Sequence, residues 1–226
     1  AMDSGAHGVD LYQLIALAGN RIDKADEKGK IIGTDSSEYQ ADSQTRANMY
    51  AYGAKTFEEN QWQRLSSCHW RSDERERSIY NSLAKSGIEI LPFGAGGGGN
   101  IHGYSMMNAR GLSEWHQAQV TTESYSSDAS LAAKLAPAKV PAMTLSPNPL
   151  VHFDAIFKRG LDSGVLDFNN LAPKVVAHLK PLFEAWQQHG LATLDDNGLS
   201  LTLAGRFWNV NMQTGLFEFF DKNPIA

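Results

Sequence analysis

Residues Ile88 to Asn100 read IEILPFGAGGGGN, six strand-like residues running straight into a stretch with glycine at 94, 96, 97, 98 and 99. A short apolar run bounded by turn formers predicts a buried strand. Upstream, Asp73 opens a charged stretch through Ile79, Tyr80 and Leu83 that Gly87 closes, which predicts a helix. Gln63 to Trp70 (QRLSSCHW) predicts another strand. Asp42-Ser43 precede a helical pattern from Thr45 to Gln61, with Met49, Tyr50, Tyr52, Ala54 and Phe57 on one apolar face. Val9 to Leu17 (VDLYQLIAL), ended by Ala18-Gly19-Asn20, predicts a first buried strand, and the charged Arg21 to Thr45 a long connection. Strand, helix, strand, helix, strand predicts right-handed crossovers, hence an α/β fold with a parallel sheet or partial barrel.

Downstream of the glycines the pattern changes. A short helix is expected from Leu112 to Gln119 and a polar loop from Thr121 to Ser130. Lys139 to Pro149, with prolines at 141, 147 and 149, should break regular structure. Amphipathic helices are expected over Leu150 to Lys158 and Ala172 to His189, the second with Val175, Val176, Leu179, Leu182, Phe183 and Trp186 on its apolar side. Leu191 to Leu194 and Leu199 to Leu203 flank Asp195-Asp196-Asn197-Gly198, a hairpin signal. Helix followed by hairpin is a winged-helix arrangement. The expected organisation is therefore 1–110, a connecting segment 111–149, and a winged-helix-like domain 150–226.

Composition narrows the function classes. With 42% hydrophobic and 20% charged residues, the chain can bury a core. A net charge of −5 gives no basic footprint for nucleic acid, and Lys174 and Lys180 are the only Lys or Arg between Ala172 and Gly190. No apolar run approaches the roughly 20 residues of a membrane span, and the opening AMDSGAHGVD lacks the features of a secretory signal. A cytoplasmic location and no membrane partner are expected. Ala1 and Met2 read as a cloning remnant ahead of an internal start. The single cysteine, Cys68, excludes a disulfide framework within the chain and a zinc site built on several cysteines; it reads as a small buried hydrophobe.

Glycines without Cβ let a flat or anionic ligand approach the backbone closely, so the run at 94–99 is the leading candidate for ligand contact. The alternative is a tight crossing between two segments. The spacing fits neither G-x-G-x-x-G nor a P-loop, which needs Gly-Lys-Ser/Thr. His102 reads as a hydrogen-bonded loop residue, and Met106-Met107 as core filling. Cys68-His69 offers too few ligands for a metal, and no metal site is expected. The alternating charges Arg71, Asp73, Glu74, Arg75, Glu76 and Arg77 read as a solvated helix face. No catalytic residue is assigned.

Three segments together resemble one family. Gly8-Val9-Asp10-Leu11-Tyr12-Gln13-Leu14 with Ala18-Gly19-Asn20 resembles a strand segment of oxygen-independent coproporphyrinogen oxidases. Tyr80-Asn81, Leu91 to Gly96 and Gly103 to Asn108 look like the anaerobic haem-utilisation branch of that radical S-adenosylmethionine (SAM) superfamily. Gly198 to Trp208 looks like its C-terminal domain. The resemblance implies the last strands and helices of a partial (β/α) TIM-like barrel, followed by the winged-helix-like domain as a cap. It implies haem or a related porphyrin as partner, opened with methyl transfer and iron release, with SAM and a [4Fe–4S] cluster as cofactors. Gly94, Gly96, Gly97 and Gly98 would line the SAM or porphyrin site, with Tyr12 and Gln13 contributing from the first strand. One cysteine cannot supply three cluster thiolates. The chain is accordingly expected to be a C-terminal part, inactive without the N-terminal remainder of its own barrel. A coproporphyrinogen III oxidase-like protein and a non-catalytic haem carrier or chaperone are the alternatives.

Overall fold

The structure is a computed structural model that describes residues 2–12, 41–122, 143–147 and 151–225. In chain order the strands are β1 (Gly8–Asp10), β2 (Gln63–Arg64), β3 (His69–Arg71), β4 (Gly98–Ile101), β5 (Tyr104–Asn108), β6 (Met143–Pro147), β7 (Val165–Asp167), β8 (Ala192–Leu194) and β9 (Gly198–Leu201). The helices are α1 (Ser43–Glu59), α2 (Ile79–Ala84), α3 (Leu112–Thr122), α4 (Val151–Ser163), α5 (Pro173–Gln188), α6 (Leu203–Phe207) and α7 (Asn209–Lys222). They fall into two compact units, one of residues 1–78 with 158–226 and the other of residues 79–157. Gln13 and the remainder of the first expected strand lie outside the described residues, as do most of the long connection and the polar loop from 123.

The first unit begins with a sheet in the order β1-β3-β2, antiparallel throughout. This corrects the expected parallel pairing, and for β2 and β3 the cause is local. Within QRLSSCHW the Ser66 hydroxyl accepts from the backbone N–H groups of Cys68 and His69, which bends the run into a hairpin instead of one strand. Val9 and Trp70 are cross-strand partners, and Trp70 is fully buried against Ala54 and Phe57 of α1, its ring stacked on Phe57 at 5.4 Å. Helix α1 starts where Asp42 accepts from the Thr45 N–H at 2.6 Å. The expected helix at Asp73 does not form until Ile79, because the Asp73 carboxylate takes the Arg75 N–H and closes a turn.

The rest of this unit is helical, with a third small sheet in the order β7-β9-β8. Pro173 opens α5 at a position where its missing N–H is harmless. Of the expected apolar side, Val175, Leu179, Phe183 and Trp186 are buried, one residue per helical turn. Phe183 stacks on Phe168 at 5.5 Å. The Asp195 carboxylate caps the turn between β8 and β9 by accepting from the N–H groups of Asn197 and Gly198.

The second unit carries the sheet β4-β5-β6, also antiparallel. Two expectations change here. Ile88 to Phe93 makes only an isolated bridge between Ile90 and Asn100, since Pro92 has no N–H to extend a ladder. Met143 to Pro147 lies in the segment expected to be irregular yet forms β6. Its proline is tolerated because β6 is an edge strand and Pro147 is its last residue.

Candidate functional site

The glycine run sits in the second unit and is built around Asn108, which is buried at the end of β5. The Asn108 side-chain amide donates to the carbonyls of Gly94 at 2.9 Å and Pro92 at 3.3 Å, and its backbone N–H donates to Gly97 O at 2.8 Å. The Gly96 N–H donates to Ala109 O and the Gly97 N–H to Gly94 O. Both amides are thus engaged inside the turn and do not form an anion nest. Gly94 and Gly96 have φ of 80° and 71°, the left-handed region where glycine is favoured.

The positions differ in what a Cβ would meet. At Gly97 it would lie 2.7 Å from Phe93 O, and at Gly99 2.1 Å from Ile90 O, so these two glycines serve a backbone crossing. At Gly98 it would touch Met107 Cε at 3.5 Å, an ordinary contact. At Gly94 nothing lies within 4 Å, and at Gly96 only Arg110, at 3.9 Å. Gly94 and Gly96 therefore leave bare backbone open to a ligand, between the Phe93 side, where the residue is 86% exposed, and the exposed Arg110. An aromatic ring, a ledge without side chains and a guanidinium are what a flat, carboxylate-bearing molecule needs.

Nearby, His102 at φ 46° follows β4, and its Nδ1 lies 2.9 Å from Glu89 Oε1. It is a paired turn histidine, as expected. Met107 beside Gly98 is exposed, so it is not the core filling expected of it.

Tyr12 belongs to the first unit and is 72% exposed. Interaction with the Cys68 thiol, then burial, then the carboxylates of Asp10 and Asp162 push its pKa up to about 12. The Leu11 N–H donates to Cys68 O at 2.7 Å, which fixes the strand end beside it. Cys68 is part-buried, with Ser66 Oγ 3.7 Å from its sulfur. So the four glycine positions come together in one turn, Tyr12 stands in the other unit, and Gln13 is outside the described residues.

Reading the sequence missed the group next to Tyr12. Asp10 and His69 are cross-strand partners with Oδ1 to Nδ1 at 2.7 Å, and His69 Nε2 lies 3.4 Å from Glu76 Oε1. Asp10 at the end of an apolar strand was the available signal. Glu76 was concealed by the helix assigned to the charged stretch. Among the described residues no group of three or more His, Cys, Asp or Glu could hold a metal ion, and no helix is long and apolar enough to cross a membrane.

No family model matches the chain. It is 34% identical over 222 residues to anaerobilin synthase of Escherichia coli O157:H7, an alignment covering 96% of this chain and 44% of that protein. This chain is a homologue of anaerobilin synthase. The fold is shared with the structure of coproporphyrinogen III oxidase from Escherichia coli, a radical SAM enzyme, at a TM-score of 0.50 and 14% identity, over 77% of this chain and 41% of that one. The anaerobilin synthase homologue described here thus spans less than half the length of either relative.

Proposed function

We propose that this chain is a C-terminal part of a radical SAM enzyme that acts on haem or a related porphyrin in anaerobic haem utilisation, opening the ring with methyl transfer and iron release. The observation that supports the reading is the ledge of Phe93, Gly94, Gly96 and Arg110. There a planar ring would lie on the bare backbone and a propionate would pair with the guanidinium. Gly97 and Gly98 belong to the same turn, Gly97 at the backbone crossing and Gly98 exposed beside it. In this reading 150–226 is a winged-helix-like cap on a partial barrel, and the protein works in the cytoplasm.

The cofactors fit unequally. Where the ledge takes SAM in place of the porphyrin, the open space at Gly94 is what would admit it. A [4Fe–4S] cluster does not fit these residues, since Cys68 is the one thiol in the chain. Its thiolates belong to a remainder of the barrel, and the chain alone is inactive.

Titration of this chain with haem, coproporphyrin and SAM, followed by absorbance and tryptophan quenching, tests the reading. Arg110→Gln should weaken porphyrin binding without changing the melting temperature, and Gly96→Val should weaken it by blocking backbone approach. Unaltered affinity in both folded variants would remove the ledge from the site. Cluster reconstitution should leave the chain without stoichiometric iron and sulfide, and four irons per chain with a cluster absorption band would refute the assignment of thiolates elsewhere.

A further inference from the structure

His69 is a buried imidazole between two carboxylates, and three separate features of the chain maintain that arrangement. Its ring is held at Nδ1 by Asp10 Oδ1, 2.7 Å away across the strand pair. Its Nε2 is buried without an aligned hydrogen bond, although Glu76 Oε1 stands 3.4 Å away. A buried polar atom left in that state is destabilising, so its persistence needs a reason.

The approach of Glu76 to His69 depends on Gly8. A Cβ at position 8 would lie 2.6 Å from Glu76 Cγ and 3.0 Å from Glu76 Oε2, so the absence of a side chain on β1 is what lets the glutamate lie across the strand. Downstream, Ser78 takes φ of 48°, a left-handed value unusual for a serine, and its N–H donates to Glu76 Oε1. That hydrogen bond, and next the charge of His69, hold the Glu76 carboxyl below the usual glutamate range. The two ends of the group reach solvent, with Glu76 30% and Asp10 38% exposed, while the His69 side chain between them is 11% exposed. The charge of Asp10 also reaches the Tyr12 hydroxyl, where it adds to the raised pKa.

We propose that Glu76, His69 and Asp10 form a proton relay across β1 and β3, delivering a proton to the edge where Tyr12 stands. With His69 neutral, Glu76 first takes a proton from solvent; the Glu76 Oε–H bond then breaks as His69 Nε2–H forms, and the His69 Nδ1–H bond breaks as Asp10 Oδ–H forms. One proton crosses the strand pair, no electron moves, and the ring then flips or exchanges to restore its first tautomer. The other charged groups around it are already engaged. Arg71 binds Glu74 and Gln63 and reaches the Glu76 carbonyl, and His7 pairs with Asp73. This inference goes beyond the porphyrin reading and does not depend on it.

Side-chain 13C and 15N NMR titration of this chain separates the relay from a static ion pair. With His69 present, Glu76→Gln should move the midpoint of the Asp10 titration by about one pH unit. In the His69→Gln background the same substitution should leave Asp10 unmoved, with amide spectra showing the fold kept. An Asp10 midpoint indifferent to Glu76→Gln overturns the proposal, as does one that moves equally with and without His69. Should His69→Gln unfold, the wild-type ring reports directly. Nδ1 protonated at high pH with Nε2 titrating alongside Glu76 supports the relay, and independent single titrations refute it. None of these readouts requires a porphyrin. Failure of the haem titrations above with a coupled Asp10 would sink the substrate reading and leave the relay standing.

Discussion

Gly99→Ala tests whether the glycine run is divided between a crossing and a ligand ledge. The new Cβ would lie 2.1 Å from Ile90 O and 3.0 Å from Pro92 Cδ, against the 3.4 Å of ordinary contact. Neither neighbour is the end of a flexible side chain, so the segments must part. That opening strains the two hydrogen bonds of the bridge, Ile90 N–H to Asn100 O at 2.8 Å and Asn100 N–H to Ile90 O at 2.9 Å. At about 0.5–1.5 kcal/mol net for each, their loss costs about 1–3 kcal/mol. Alanine restricts the unfolded chain more than glycine does and returns about 0.5–1 kcal/mol of this. The balance is a destabilisation of up to about 2.5 kcal/mol, at roughly 4–8 °C in melting temperature per kcal/mol for a unit of this size. Urea denaturation followed by amide NMR of residues 88–108 measures it, and porphyrin titration below the transition should give wild-type affinity. A Gly99→Ala protein as stable as wild type but unable to bind porphyrin would refute the division.

Tyr50→Phe removes the hydroxyl that donates to Ser67 O at 2.5 Å within the core; it should cost about 1–3 kcal/mol by urea denaturation, because the buried carbonyl loses its partner. Leu179→Ala, at a fully buried position of α5, should cost about 2–5 kcal/mol by the same measurement. Glu76 is held below the usual carboxylate range, so between its folded and unfolded pKa values the unfolded chain binds more protons and stability rises with pH. Its contribution is present above the ordinary glutamate pKa and disappears as pH falls through the folded one; Glu76→Gln should flatten that part of the stability–pH curve, and an unchanged curve would contradict the contact with Ser78 and His69.

What could be read from the sequence follows the range of the interactions that decide each element. Helix α1 was legible because Asp42 caps it within three residues, and α5 because its apolar side repeats at helical spacing and Pro173 opens it. The Asp195 turn was legible for the same reason, its capping contacts spanning only two and three residues. The strand partners were not. A run such as QRLSSCHW carries β-compatible residues throughout, and the competition of the Ser66 hydroxyl for two backbone N–H groups turns it into a hairpin, while the antiparallel pairing of β1 with β3 joins residues about 60 positions apart. Likewise the charged residues 71–77 suit a solvated helix by spacing, while the Asp73 turn and the reach of Glu76 over Gly8 give them another use.

The candidate sites divide along the same line. Glycines at 94 to 99 announce close backbone approach, but composition alone cannot say whose. The answer depends on Ile90 and Phe93 carbonyls lying behind Gly99 and Gly97 while Gly94 faces open space. The Asp10–His69–Glu76 group joins residues 59 and 7 positions apart, around a glycine whose only signature is a missing side chain. Such a group becomes visible only when strand register is known, because register puts Asp10 opposite His69 and the Cβ-free Gly8 under Glu76. Its sequence trace is one polar residue at the end of an apolar strand, which in a strand of this kind marks a place where chemistry has overridden burial.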